Sequence, residues 1–358
     1  MKTLTKRALS LLLVVAMLLP FVAFELPVPA AATNHGEYDT LAMIYDYGTC
    51  PSMQGLGLCG DYFYAVKTDG NDTAATVTRV NKNTGAKNML TNGGNGTYYF
   101  YDFGHGNDCE VVYAGGKTNM FIPTSATGAN SIVRYTVNGT TATKMCGYQM
   151  VSTSGANIGG GAIRAARVDD ENIYFLFKSG MTLYTGTLPI SQNGGQLVMT
   201  KMCTLDTSGV YVNGTYMDLS AFIGQGMGYY DHRVYIPISG HGQTSTINQS
   251  IILVYDIQGA SGTIKPLNDP TFRVTSSAYS ALYEIETCVI DPETNLLYYT
   301  TNRRKTSSDT NYDGLHWITN WVYEPQKRTT AVENYRWEPV DGKLTSVTSG
   351  GSVYNGLA

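Results

Sequence analysis

From Met53 onward, short apolar runs alternate with clusters of Gly, Asn, Asp and Thr, and the order of the runs repeats. The first unit is Met53–Leu58, a turn at Cys59–Asp61, Tyr62–Lys67, then Thr76–Val80, closed by Asn83-Thr84-Gly85. The plan returns as His105–Val112, Met120–Thr124 and Ser131–Val137, and again as Ala162–Val168, Ile173–Phe177 and Thr182–Thr187. It returns twice more, as Gln225–Tyr230, Val234–Ile238 and Ile251–Ile257, and as Glu286–Ile290, Leu296–Thr301 and Leu315–Asn320. Runs of this length, rich in β-branched and aromatic residues and bounded by turn residues, predict strands. Each unit also offers an outer strand, at Ala86–Leu90, Thr143–Met150, Leu197–Leu205, Thr263–Leu267 and Asn334–Pro339.

Self-similarity at a spacing of roughly 50–60 residues predicts stacked sheet units. Four strands per unit and five units predict an all-β fold, a five-bladed β-propeller of four-stranded antiparallel blades. One blade alone cannot bury both its faces; a closed ring buries them all and leaves only short outer edges. A β-sandwich does not need five equal modules, and a parallel β-helix needs shorter repeats. The ring is expected to close by pairing sequence near Leu41–Tyr47, or from after Asn334, with the terminal blade. A near-repeat marks two blades: Tyr45-Asp46-Tyr47-Gly48 returns as Tyr101-Asp102-Phe103-Gly104.

Residues 1–32 read as a secretory signal peptide. Lys2, Lys6 and Arg7 form a basic start, Leu11 to Phe24 an apolar run broken at Pro20, and Ala30-Ala31-Ala32 a small-residue cleavage site. No later stretch is long and apolar enough to span a bilayer, so residues 33–358 are expected to form one secreted propeller domain, without a transmembrane segment and monomeric. Cleavage removes three cations and one anion (Glu25), which makes the mature chain more acidic than the −4 of the full sequence. An acidic balance argues against nucleic acid and anionic membranes as partners. Arg303-Arg304-Lys305 sits in a Ser/Asp/Asn-rich stretch and reads as a solvated loop. Charged residues are only 15% of the chain against 39 Gly and 27 Tyr, the balance of a strand-and-turn protein with little helix.

Cys50, Cys59, Cys109, Cys146, Cys203 and Cys288 are scattered, so disulfides and buried free thiols are both open; Cys50–Cys59 is the one tempting pair. The Asn-Gly-Thr sites at Asn95, Asn138 and Asn213, with Asn71 and Asn248, read as turns before they read as glycosylation sites.

In a propeller the loops that open the innermost strands gather on one face. The polar residues at those openings are Gln54, His105, Asn107, Asp108, Gln225, Glu284 and Glu286, with Gly160-Gly161 at the third. They predict a polar ring that binds a sugar, a peptide group or an ion, or a ring that only satisfies itself and trapped water. His105, Asp108 and Glu286 could hold a cation, but no Asp-x-Asp-x-Asp loop is present, and no metal or other cofactor is expected. Nucleophile-elbow, zincin and P-loop motifs are absent. A His105–Glu286 acid/base pair rests on placement alone. The clusters Tyr98-Tyr99-Phe100-Tyr101 and Tyr229-Tyr230 can stack on sugars or simply pack in sheets.

The openings at Gln54-Gly55 and Gly104-His105-Gly106-Asn107-Asp108 resemble those of the helveticin J-like group of secreted bacterial proteins, which is similar in turn to teichoic-acid biosynthesis protein C-like and phage receptor-binding propellers. The resemblance spans roughly Leu41 to Leu344. It implies a five-bladed propeller, a bacterial source, and a role at cell-envelope glycopolymers; helveticin-like members are described as bacteriocins. This chain departs from the pattern at Gly159-Gly160-Gly161, which replaces a polar opening, and carries no appended wall-anchor repeat. Two functions follow as expectations: a secreted non-catalytic propeller that binds a cell-wall glycopolymer or other polar polymer, or a propeller enzyme of lyase or cyclotransferase type that uses His105 and Glu286.

Overall fold

The computed structural model describes residues 36–320, apart from 213–214, 241–249, 269, 275, 277, 307, 310 and 311, and the backbone of Tyr335–Trp337 and Leu344–Ser346. The signal peptide and the sequons at Asn213 and Asn248 lie outside the described residues. The described chain is all-β. It contains no helix, so none is long and apolar enough to cross a membrane.

Strand β1 is Tyr38–Met43. The first unit is β2 (Ser52–Cys59), β3 (Tyr62–Thr68), β4 (Ala75–Asn81) and β5 (Lys87–Met89), paired antiparallel in that order. After the short β6 (Thr91–Asn92) comes β7 (Glu110–Ala114), β8 (Lys117–Pro123), β9 (Ile132–Asn138) and β10 (Thr141–Ser152). The third unit is β11 (Ala162–Val168), β12 (Asn172–Ser179), β13 (Thr182–Pro189) and β14 (Gly195–Leu205). A hairpin follows, β15 (Val210–Val212) with β16 (Thr215–Met217). The fourth unit begins with β17 (Ile223–Gly224) and β18 (Gly228–Tyr230), both on β19 (Arg233–Ser239), and continues to β20 (Ser250–Asp256) and β22 (Phe272–Val274); β21 (Gly262–Ile264) lies between these two in sequence. The fifth is β23 (Leu282–Asp291), β24 (Leu296–Arg304) and β25 (Gly314–Ile318), and β1 pairs antiparallel with β25. Strands β26 (Tyr335–Trp337) and β27 (Leu344–Ser346) pair with each other.

Two expected outer strands are reassigned. Thr263–Leu267 does not edge the fourth unit: β21 runs parallel to β14 of the third, and β22 pairs with β20 in its place. Asn334–Pro339, of which only Tyr335–Trp337 is described, does not edge the fifth; β1 does. Edge strands this short carry little pattern of their own, so long-range pairing decides where they dock. The outer strands β10 and β14 also pair with each other in parallel, Tyr148–Ser152 against Gly195–Met199, which covers two edges at once.

The first strands touch in cyclic order: β2 meets β7, β7 meets β11, β11 meets β18, β18 meets β23, and β23 meets β2. Between each neighbouring pair of units lies one apolar cluster. Val66, Val77, Val111 and Met120 fill the first–second interface; Val112, Phe121, Ile163 and Phe175 the second–third. Leu176, Leu183, Ile236 and Leu253 fill the third–fourth, Tyr235, Val254, Ile285 and Tyr299 the fourth–fifth, and Leu56, Phe63, Val289 and Leu315 the fifth–first. The all-apolar strands are buried on both faces, hence continuous hydrophobic runs rather than strict alternation. All six cysteines are free and none is exposed, so Cys50 and Cys59 do not pair.

Both copies of the near-repeat end in a left-handed glycine, Gly48 and Gly104, with φ of 56° and 55°. A Cβ would strike the Tyr99 hydroxyl at the first and the Thr124 carbonyl at the second. The aspartates point inward. Asp46 accepts from Lys67 Nζ (2.5 Å), and Asp102 accepts from the Tyr135 hydroxyl (2.5 Å) and pairs with Lys144 (2.7 Å).

Because β1 supplies the outer strand of the fifth unit, a chain that lacks residues 33–43 leaves the outer edge of β25 unpaired. Its melting temperature should fall by on the order of ten degrees in differential scanning calorimetry. An unchanged melting curve would show that closure does not depend on β1.

Candidate functional site

The sequence-predicted residues separate into three groups. Gln225, just before β18, anchors its backbone N–H on the Pro237 carbonyl (2.9 Å) and donates from Nε2 to Glu284 Oε1 (2.5 Å). Glu284 and Glu286 lie two apart on β23, with Glu286 at the bulge where the register with β24 shifts between Ile285 and Thr287. Both are buried, and their carboxyl groups hydrogen-bond each other. Burial holds the Glu286 carboxyl well above the usual carboxylate range, and the neighbouring Glu284 charge adds to it; a hydrogen bond from Asn302 works the other way. Asn302 faces Glu284 across the β23–β24 ladder. Gln54 is buried on β2, where the register with β3 shifts between Met53 and Leu56.

His105 and Asn107 lie elsewhere. Strand β7 begins at Glu110, so both sit in the loop before it rather than on the strand. His105 Nδ1 is 2.9 Å from Asp72 Oδ1 on the exterior, and Asn107 Nδ2 donates to Ser125 Oγ (3.3 Å). These contacts tie the second unit's opening to the β3–β4 and β8–β9 loops. His105 thus partners Asp72 while Glu286 partners Glu284 and Asn302, and the expected acid/base pair is not formed.

Asp108 belongs to a third group, organised by a residue that sequence reasoning missed. Arg164 on β11 is buried, and its guanidinium is shared around the ring. Nη2 donates to Asp108 Oδ1 (2.8 Å) and reaches Thr287 Oγ1 (2.9 Å) and the carbonyls of Leu56 (3.2 Å) and Cys288 (3.1 Å). Nη1 reaches the carbonyls of Cys109 (3.1 Å) and Ile163 (2.6 Å). The Thr287 hydroxyl donates to Asp108 Oδ1 (2.9 Å), and the Ile163 N–H to Asp108 Oδ2 (3.2 Å). The signal was present: an arginine inside the apolar run Ala162–Val168 must be paired if that run is buried.

Glu110 lies 3.7 Å from Arg164 Nη1, too far to offset its burial, and its carboxyl is pushed up to about 8. A cavity of about 20 Å³ between Glu110, Arg164, Leu58 and Tyr229 has room for one water. Nearer the mouth, Lys178 pairs in register with Ala162, and burial pushes its ammonium down to about 8. Lys67 Nζ bridges Asp46 and Asp313 (2.8 Å), which ties the first unit to the fifth. Among the described residues no cluster of three or more His, Cys, Asp or Glu is arranged to hold a metal ion.

No family model matches the chain, and no curated protein matches it. Among solved structures it is similar to the α-L-arabinofuranosidase of Podospora anserina, with 9% identity, 81% of this chain and 98% of that one covered, and a TM-score of 0.41. It is similar to the glutaminyl cyclase of Myxococcus xanthus, with 12% identity, coverage of 79% and 97%, and a TM-score of 0.37. A GH43 β-1,3-galactosidase bound to galactodeoxynojirimycin gives 10% identity, coverage of 76% and 94%, and a TM-score of 0.43. Likeness at this level does not say what the present site binds.

Two predictions follow from the axis. Arg164→Met leaves Asp108 buried without its cation and should cost about 3–5 kcal/mol in urea unfolding; Arg164→Met with Asp108→Asn should recover part of the loss. Equal stability of wild type and Arg164→Met would remove the guanidinium from any organising role. Glu110 has a raised pKa in the folded state, so the unfolded chain ionises first and stability falls as pH rises from about 4.5 toward about 8. Glu110→Gln should flatten that decline by a few degrees of melting temperature, roughly, between pH 5 and 8. Parallel curves would mean that Glu110 is ionised throughout.

Proposed function

We propose that the chain is a five-bladed β-propeller of four-stranded antiparallel blades, exported by residues 1–32, that binds a carbohydrate of the cell-envelope glycopolymer class at its channel mouth without turning it over. The cyclic contact of the five first strands supports the architecture. The observation that carries the function is the Gln225–Glu284–Glu286–Asn302 constellation: planar amides and carboxyl groups, joined by hydrogen bonds, three of them buried and Gln225 half-buried, at the end of the ring where the first strands open. Such groups meet hydroxyl-rich ligands well, because each offers donors and acceptors in a fixed plane.

The same pair argues against hydrolysis. Glycosidases hold their two carboxyl groups about 5–5.5 Å or 6.5–9.5 Å apart, with the reacting bond or water between them. Glu284 and Glu286 instead hydrogen-bond each other from neighbouring positions on one strand, rather than facing each other across a space for substrate. His105, the other candidate acid/base group, is engaged by Asp72 on the exterior.

A glycan array with the mature chain tests the reading. Wild type should retain neutral envelope-type glycans, and Gln54→Ala with Gln225→Ala should weaken retention roughly tenfold, the loss of one or two modest hydrogen bonds. Release of sugars from the array would instead establish an enzyme, and undiminished retention by the variant would move the site away from the mouth.

A further inference from the structure

The tyrosine cluster left open by the sequence is solvent-facing. Tyr45 and Tyr47 lie in the segment that leads into β2, and Tyr98, Tyr99 and Tyr101 in the segment that leads into β7. Both segments open first strands, so the cluster sits on the same face as Gln54. Tyr101 is 64% exposed and Tyr45 60%. Tyr47 packs edge-on against Tyr98 with ring centres 5.3 Å apart and tilted against Tyr99 at 5.5 Å, and Tyr99 stacks on Tyr101 at 6.2 Å.

The cluster is held in place from below. Phe100 and Phe103 are buried and stacked at 4.8 Å, so the segment alternates rings into the core with rings into solvent. Phe100 pairs with Ala75 through both backbone groups (2.8 and 2.9 Å), and Asn92 Nδ2 donates to the Tyr99 carbonyl (2.9 Å). Gly48 lets the Tyr99 hydroxyl lie against its backbone. Nothing in the two strand-and-turn frameworks needs exposed rings, and large apolar side chains ordered on the surface mark binding sites.

The carboxylates around the rings are already paired. Asp46 is on Lys67, Asp102 on Tyr135 and Lys144, and Lys87 lies over the Tyr45 ring at 4.4 Å with its Nζ on the Met43 carbonyl (2.7 Å). Among the described residues a neutral ligand meets no unpaired carboxylate here, and Lys87, the one nearby cation without an acidic partner, is too little charge to select a polyanion. We propose that Tyr47, Tyr98, Tyr99 and Tyr101 form a rigid platform for a neutral oligosaccharide, whose ring faces stack on the tyrosines while its end occupies the channel mouth. Rings fixed before binding lose little freedom on binding, and the tyrosine hydroxyls meet the sugar's own. This deepens the mouth reading and rests on it for the sugar's terminal position.

The experiment titrates the mature chain with glucose, xylose and galactose and with neutral hexasaccharides of each. Tyr98→Ala with Tyr101→Ala, which removes two exposed rings of the cluster, should weaken hexasaccharide binding roughly tenfold and leave monosaccharide binding unchanged; Tyr101→Phe should retain it. Unchanged hexasaccharide binding in the alanine variant, with binding lost in Gln54→Ala/Gln225→Ala, overturns the platform and keeps the mouth. Loss in the tyrosine variant alone overturns the mouth and keeps the platform. No hexasaccharide bound by wild type overturns both, and wild-type self-association that the tyrosine variant loses assigns the rings to a second copy of the chain.

Discussion

A guanidinium out of water must be given acceptors, and Arg164 takes them from first strands of four different units. Leu56 comes from the first, Asp108 and Cys109 from the approach to β7, Ile163 from its own strand, and Thr287 and Cys288 from the fifth. Apolar clusters hold each sheet against its neighbours, but they are forgiving about register, because methyl groups slide. Hydrogen bonds to a single planar ion are not. The apolar clusters supply the drive to assemble, and the axis fixes where each first strand stops. Whether such an ion adds net stability over an apolar plug is a separate matter; its removal alone is costly because Asp108 stays behind.

Much of the strand plan was legible. Ala162–Val168 has the bounds read from sequence, and Ser52–Cys59 and Leu282–Asp291 extend theirs by a few residues. These are long, apolar and central, so local pattern and final environment agree. The edges were not legible. Gly262–Ile264 left its own unit for β14, and the fifth sheet took its last strand from Tyr38–Met43. An edge strand of three residues has too few side chains to specify a partner, and contacts far away in sequence decide.

The site was legible by type rather than by grouping. Gln225, Glu284 and Glu286 came together because two of them are near neighbours on β23, Glu286 at its bulge, and the third opens the adjoining strand. His105 and Asn107 did not join them, since the left-handed turn at Gly104 sends the chain outward and delays β7 to Glu110. Arg164 escaped notice because attention fell on loop openings, and its partners lie as far as 124 residues away along the chain. The tyrosines remained ambiguous because the same residue serves a half-buried sheet and a ligand surface equally well; the buried Phe100 and Phe103 beneath them show which rings of the segment pack and which face solvent.

The pairing of β1 with β25 has a consequence for the order in which the molecule is made. The Glu37 N–H rests on the Asn320 side chain, 283 positions away. Strand β1 is synthesised before any sheet exists and must wait, extended and unpaired, until its partner strand near the other end of the described chain is made. Contacts of such sequence separation form late and slowly, and an unpaired strand invites foreign partners in the interval. Its sequence suits that wait: Tyr38-Asp39-Thr40 at its start mixes charge and hydroxyl into the run, which discourages pairing with the wrong edge until the right one arrives.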